Sequence, residues 1–136
     1  MIAIAVSEFN TEVSSGLLAG CRSALLENRI TEQDIEVTWL PGVFELPAAA
    51  ARLSLRPEVR AVVTLGAVIR GETDHYHYIS EAVTRGLMQV TLSSPVPVLF
   101  GVLTCQNVEL ARARSEPNGA SNKGYEVGIA AVAMMS

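Results

Sequence analysis

Hydrophobic residues along this chain form short, nearly continuous runs, separated by longer segments in which they recur every three or four positions. The runs predict four strands, at residues 2–6, 35–40, 61–65 and 96–100. Because a strand that is covered on one face only would alternate apolar and polar side chains, such runs are typical of parallel strands covered on both faces. We therefore expect all four to be interior strands.

The intervening segments have the period of amphipathic helices, as in residues 75–92, where apolar side chains share one face. Helices are predicted at residues 12–28, 44–53, 75–92, 108–114 and 125–135. This alternation predicts a three-layer α/β/α domain with a four-stranded parallel sheet and right-handed crossovers. Residues 115–121, rich in Ser, Pro and Gly, predict a kink between the last two helices.

Length and composition favour a single domain over residues 1–136, since 136 residues can bury a sizeable core. Hydrophobic residues make up 49% and charged residues 18%, which argues for a packed globule. So little charge also fits a large subunit interface. The net charge of -4 gives no electrostatic reason to expect nucleic acid or an anionic membrane as partner.

The two cysteines, Cys21 and Cys105, lie far apart without metal-ligand spacing, so we expect neither a disulfide framework nor a zinc site. The apolar opening is too short for a signal peptide, and no run has the length of a membrane span. A cytoplasmic location is therefore expected.

Unusual clusters follow each predicted strand, at residues 7–10, 41–45, 66–78 and 101–104. Parallel strands bring their carboxyl ends to one edge of the sheet, where ligands collect in open α/β folds. Both histidines of the chain lie in residues 66–78. We expect one site at this edge, although that segment alone also fits a solvated loop with two surface histidines.

Single residues in these clusters allow more than one interpretation. Phe9 fits a ring-stacking platform or a buried packing plug. Glu45, in the first turn of a predicted helix, is favoured there by the helix dipole whatever its function. Gly71 and Thr73, near a helix amino terminus, suit a phosphate, whereas Glu72 between them does not unless its side chain points away.

The two histidines could hold a metal only if the chain is extended at His75 and His77. In a helix their side chains point roughly 200° apart. The Thr-Asp pair before His75 is typical of a helix start, so metal binding is the weaker interpretation.

Taken together, the clusters resemble the 6,7-dimethyl-8-ribityllumazine synthase family of riboflavin biosynthesis, over residues 2–134. The similarity rests on five motifs in the right order and spacing: residues 7–10, 41–47, 66–75, 100–104 with Asn107, and 122–124. It implies a flavodoxin-like fold and the condensation of 5-amino-6-ribitylaminouracil with 3,4-dihydroxy-2-butanone 4-phosphate. It implies neither a cofactor nor a metal.

The resemblance also implies roles for individual residues. His75 matches the acid/base histidine, and imidazole titrates in the range useful for proton transfer. Phe9 would stack on the pyrimidine, Asn10 would lie close to the ribityl chain and Glu45 would bind its hydroxyls. Further substrate contacts would come from Val43, Phe44, Val68, Ile69, Gly71, Glu72 and Thr73.

Four more residues match positions that this family supplies from a neighbouring subunit. Phe100 would close over the ring, Arg114 would bind phosphate and Glu126 would orient the histidine. Lys123 would be a further substrate-binding residue. Without the resemblance, Arg114 would be interpreted as a solvated charge near a helix carboxyl end.

The chain departs from the family pattern at Glu8, where Arg is usual, at Leu110, where Gln is common, and at His77, where an acid is frequent. Assemblies of the family range from pentamers and decamers to sixty-subunit icosahedral shells. Lys123 follows Arg114 by nine positions, one more than is usual in shell formers, and Pro117 stiffens the kink. We expect a pentamer or decamer.

Two other functions remain open. The first is a non-catalytic homologue that binds flavin or lumazine or forms shells, against which the retained Phe9, Glu45, His75 and Arg114 argue. The second is a riboflavin synthase of archaeal type, against which residues 41–45 and 122–124 argue.

Overall fold

Four parallel strands form the centre of the molecule in a computed structural model that describes residues 1–71 and 75–135. They are β1 (Ile2–Ser7), β2 (Ile35–Leu40), β3 (Ala61–Ile69) and β4 (Val98–Cys105), in the order β2-β1-β3-β4. The α-helices are α1 (Thr11–Glu27), α2 (Leu46–Ser54), α3 (Tyr76–Ser93), α4 (Val108–Ala113) and α5 (Lys123–Met135). Short 3-10 helices cover Glu32–Asp34 and Val43–Glu45.

Helices cover both faces of the sheet, which confirms the predicted three-layer, flavodoxin-like α/β fold. On one face, Ile4 of β1 and Leu65 of β3 lie in a core cluster with Leu17 of α1 and Val127 of α5. On the other face, neighbouring strand residues form a second cluster with residues of α2 and α3. All residues of β1 and β3 are buried, as expected for strands covered on both faces.

The prediction that all four strands are interior is wrong for β2 and β4, because each of them is an outermost strand with a neighbouring strand on one side only. Most residues of β2 are only half-buried, and Trp39 is exposed over 38% of its surface. Continuous apolarity shows that both faces of a strand are covered, but it does not show whether strands lie on both sides.

The predicted bounds of β3 and β4 are also wrong. β3 continues to Ile69 instead of ending at residue 65, and β4 begins at Val98 instead of residue 96 and continues to Cys105. Pro95 and Pro97 have no N–H group for a ladder, so residues 96–97 precede the strand. Gly101 lies inside the strand and does not end it. A Cβ at this position would lie 2.6 Å from the Thr64 carbonyl oxygen, so the glycine allows close packing within the sheet. The predicted cluster at residues 101–104 therefore lies within β4.

In the described part of the chain, no helix is both long and apolar enough to cross a membrane. Cys21 and Cys105 are buried free thiols, in agreement with the expectation that they form no disulfide.

Candidate active site

The carboxyl end of β1 places Phe9 and Asn10 at the edge of the sheet. Asn10 has left-handed backbone angles (φ 64°, ψ 52°) immediately before α1, a conformation that asparagine tolerates better than most residues. Its Nδ2 donates a hydrogen bond to the carbonyl oxygen of Ala67 in β3, 3.4 Å away. The Phe9 side chain is 58% exposed, so within this chain it is not a buried packing plug.

After β2, the chain forms the 3-10 helix Val43–Glu45, which leads directly into α2. Val43 is buried in the core, whereas Phe44 and Glu45 are exposed. The Glu45 Oε1 atom lies 3.2 Å from the point where a Cβ on Gly42 would be. The carboxylate thus lies close to the backbone of its own turn, at the amino end of α2, where its charge is favourable.

Gly66 brings the ends of three strands together. A Cβ at this position would lie 2.5 Å from the Ser7 Oγ and 2.8 Å from the Val43 Cγ1. Only a residue without a side chain allows the segments after β1 and β2 to approach β3 so closely. The clusters that follow these two strands therefore converge with the end of β3.

The last residues of β3 leave one edge of their backbone outside the sheet ladder. Pairing with β1 ends at Leu65, whereas pairing with β4 continues to Ile69. The Val68 and Ile69 side chains are buried in opposite cores. On the side that faces β1, these two residues therefore present backbone N–H and C=O groups, which suit a flat polar ligand.

The segment after β3 contains Gly71, with φ 93°, and leads to His75 at the amino end of α3. Glu72 and Thr73, both predicted site residues, lie outside the described residues. His75 is exposed, and its carbonyl oxygen accepts a hydrogen bond from the N–H of Ile79, 2.8 Å away. His77 lies in the first turn of α3, so the extended arrangement needed for a metal-chelating pair is not formed.

Metal ligands do not assemble elsewhere in residues 1–71 and 75–135, where no group of three or more His, Cys, Asp and Glu side chains could hold an ion.

A second group of predicted residues lines a shallow pocket of about 350 Å³ beside β4. Arg114, at the carboxyl end of α4, shares it with Lys123 and Glu126 of α5. The backbone N–H of Lys123 donates to the Arg114 carbonyl oxygen at 2.8 Å, which fixes the two cationic residues next to each other. Residues 102–104 and Ser121 complete the wall. We call this the cation pocket.

The charge of Arg114 also reaches the end of β4. Burial raises the pKa of the Cys105 thiol, and the nearby Arg114 guanidinium partly opposes this effect by favouring a thiolate.

The cation pocket does not bring the two groups of predicted residues together. The lining of the cation pocket includes neither Phe9 nor Glu45 nor His75. Phe100 belongs to neither group, because it lies in the middle of edge strand β4, with 40% of its surface exposed.

Sequence reasoning assigned no role to Asn122, Thr104 or Arg70. Asn122 is buried at the start of α5, and Thr104 lines the cation pocket. The Arg70 Nη1 donates to Gln106 Oε1 at 3.0 Å and joins the ends of β3 and β4. An asparagine before a helix is a recognised start signal, but the last helix was predicted to begin at residue 125, two positions late.

One comparison with known proteins bears on this arrangement. The family model described as 6,7-dimethyl-8-ribityllumazine synthase matches residues 1–136, the whole sequence. The match therefore includes the sheet edge and the cation pocket.

Proposed function

Because the chain belongs to the 6,7-dimethyl-8-ribityllumazine synthase family, we propose that it condenses 5-amino-6-ribitylaminouracil with 3,4-dihydroxy-2-butanone 4-phosphate. The products are 6,7-dimethyl-8-ribityllumazine, inorganic phosphate and water, in riboflavin biosynthesis. The observation that best supports this reaction is the division of the site into an exposed sheet edge and a separate cation pocket. Such a division suits two substrates, only one of which carries a phosphate.

The sheet edge would bind the pyrimidine substrate. The exposed Phe9 ring offers a stacking face, and the open backbone edge at Val68 and Ile69 offers hydrogen bonds to the polar rim of the heterocycle. Asn10 and Glu45 would bind the ribityl chain, because a carboxylate accepts hydrogen bonds from hydroxyl groups. Backbone groups of Val43 and Phe44 would assist them.

His75 would transfer protons during the condensation. The substrate amine condenses with the ketone of its partner and phosphate leaves, after which the ribitylamino nitrogen closes the ring on the resulting carbonyl. Two molecules of water are lost in all, so protons must move to and from nitrogen and oxygen atoms. The amine nucleophile and the leaving phosphate both belong to the substrates. The reaction we propose therefore uses alignment, charge and proton transfer, without a cofactor or metal.

The phosphate would lie between the segment that contains Gly71, Glu72 and Thr73 and the cations Arg114 and Lys123. Arginine suits this task because its planar guanidinium makes paired, charge-assisted hydrogen bonds with phosphate oxygens. Since His75 does not line the cation pocket, we propose that this pocket serves the site of a neighbouring copy. Phe100 and Glu126 would act across the same boundary, in a homo-oligomer.

The test is to mix the purified chain with both substrates and to follow lumazine by its absorbance and fluorescence, with phosphate release as a second readout. We expect equal amounts of lumazine and phosphate. Riboflavin formed from added lumazine would instead identify a riboflavin synthase of archaeal type. Binding of lumazine without any turnover would identify a non-catalytic homologue.

A further inference from the structure

The cation pocket depends on a buried amide at the junction of three chain segments. Asn122 lies between the kink and α5 and is only 2% exposed. Its Nδ2 donates to the carbonyl oxygens of Gly16, at 3.0 Å, and Glu116, at 2.8 Å. Its Oδ1 accepts from the N–H of Tyr125 at 2.9 Å. Both amide protons are thus used, and the oxygen caps the helix.

These bonds connect the segments on which the pocket is built. The bond to Gly16 fixes the kink to α1, the bond to Glu116 closes the kink on itself, and the bond to Tyr125 starts α5. The main chain of Asn122 adds to this, because its carbonyl oxygen accepts from the Glu126 N–H at 3.3 Å. The backbone positions of Lys123 and Glu126 relative to Arg114 therefore depend on this side chain, which does not line the pocket, as well as on the direct hydrogen bond from the Lys123 N–H to the Arg114 carbonyl oxygen.

The space around this amide is closed. A Cβ on Gly20 of α1 would lie only 2.1 Å from the Asn122 Oδ1, and one on Gly124 would lie 1.9 Å from the Leu17 carbonyl oxygen. Helices α1 and α5 therefore meet backbone to backbone beside Asn122. Removal of the amide would take this donor from the carbonyls of Gly16 and Glu116 and, with it, the hydrogen bonds by which the side chain joins the kink to α1.

We infer that Asn122 is a positioning residue for phosphate recognition: it sets the spacing of Arg114 and Lys123 without touching the substrate. This inference rests on the proposed function. A merely structural role predicts a smaller folded fraction with unchanged substrate affinity, whereas a positioning role predicts a selective loss of affinity for the phosphate.

The first test compares Asn122→Ala with the unmodified chain. The KM for the butanone phosphate should rise about ten- to a hundredfold, the range for weakened hydrogen bonds to a charged group. The KM for ribitylaminouracil and the kcat should each change by less than about threefold. The inhibition constant of inorganic phosphate, used as a competitive inhibitor, should rise by the same factor as the KM for the butanone phosphate.

Asn122→Asp is the second variant, for the case in which the alanine variant does not fold. Its carboxylate still accepts from the Tyr125 N–H, but when ionised it has no proton for Gly16 and Glu116. The same selective rise in KM is expected. Failure of both variants to fold would assign Asn122 to the integrity of the fold and would overturn its positioning role.

Asn28→Ala is the matched control. The Asn28 Nδ2 also donates to a carbonyl oxygen of α1, that of Ala24 at 2.7 Å, but this bond joins α1 to its own C-cap and does not connect the helix to the kink. This variant should lower the melting temperature and leave both KM values unchanged. If it raised the KM for the butanone phosphate as much as Asn122→Ala does, the effect would be general destabilisation and the inference would be wrong.

A titration with inorganic phosphate, followed by phosphorus NMR, separates this inference from the proposed function. If the unmodified chain makes no lumazine, the proposed reaction is wrong, but the titration still compares its phosphate affinity with that of Asn122→Asp. Equal affinities in that titration would overturn the positioning role.

Discussion

At the scale of single residues, His75 is exposed at the amino end of α3, and it is the residue that we propose for proton transfer. His75→Ala should lower the kcat about ten- to a thousandfold without abolishing turnover, because alignment of the substrates contributes independently of proton transfer. Single-turnover kinetics with both substrates measure the rate of the condensation directly.

His77→Ala is the control for that experiment, since it removes the other imidazole of the chain. The His77 ring lies edge-on to Tyr76, with the ring centroids 5.1 Å apart, within the first turn of α3. Turnover of this variant should stay within about twofold of the unmodified chain. Unchanged turnover in His75→Ala would exclude His75 from the mechanism.

The cysteines should be chemically inert in the native protein. Burial raises the pKa of the Cys21 thiol to about 12, with a smaller opposing effect of Arg22, and burial also raises the pKa of Cys105. At pH 8 a thiol with that pKa is ionised in only about one molecule in ten thousand, and the thiolate is the reactive form.

A disulfide reagent such as Ellman's reagent should therefore label neither cysteine of the native protein at pH 8 within minutes. In urea both thiols should react at once. Rapid labelling of the native protein would show that one of the two positions opens to solvent.

At the scale of helices, the close approach of α1 and α5 decides the outcome of Gly124→Ala. Helix propensity alone would make this change stabilising by about 0.5–1 kcal/mol. The added Cβ, however, would lie 1.9 Å from the Leu17 carbonyl oxygen, a backbone atom that moves only if the two helices separate. We expect a net destabilisation of about 1–3 kcal/mol from overpacking.

Urea denaturation measures that difference in the free energy of unfolding. Ala130→Gly, at an exposed position of the same helix, calibrates the propensity contribution with the opposite change. A Gly124→Ala variant more stable than the unmodified chain would show that α1 and α5 can separate at little cost.

The sequence predicts these elements well wherever local pattern determines them. The bounds of β2 are as predicted, and those of β1 differ by one residue. The order of the strands is not local, which is why β2 and β4 were wrongly expected to be interior. The clusters after β1 and β2 were located correctly, because parallel strands share an edge. Asn122 was missed as a positioning residue because its partner Gly16 lies 106 positions away in the chain.

At the scale of the whole molecule, the proposal that the cation pocket serves a neighbouring copy leads to a test of sites shared between copies. His75→Ala and Arg114→Ala chains, unfolded together and refolded as a mixture, should regain activity, because some sites combine an intact histidine with an intact arginine from the neighbour. If equal amounts of the two chains assemble at random, about a quarter of all sites contain both an intact His75 and an intact Arg114.

The double variant, with both changes in one chain, has no complete site and serves as the control. Activity of the mixture no higher than the sum of the two single variants would show that each site is built within one chain, contrary to the proposal.

The kink between α4 and α5 leads to the prediction on the size of the assembly. It is long, with nine positions from Arg114 to Lys123, and it is stiff, because Pro117 fixes its own backbone angle and Asn122 binds the kink to α1. A shell closes only if its pentamers meet at one defined angle, and a rigid kink of a different length directs α5 away from that angle. The low charge content of the chain, 18%, fits large contacts within a pentamer and contacts within a shell equally well.

We expect pentamers, alone or paired face to face as decamers. Light scattering at micromolar concentration should give five or ten times the chain mass of 14.5 kDa, whereas a particle near a megadalton would show that the kink permits closure.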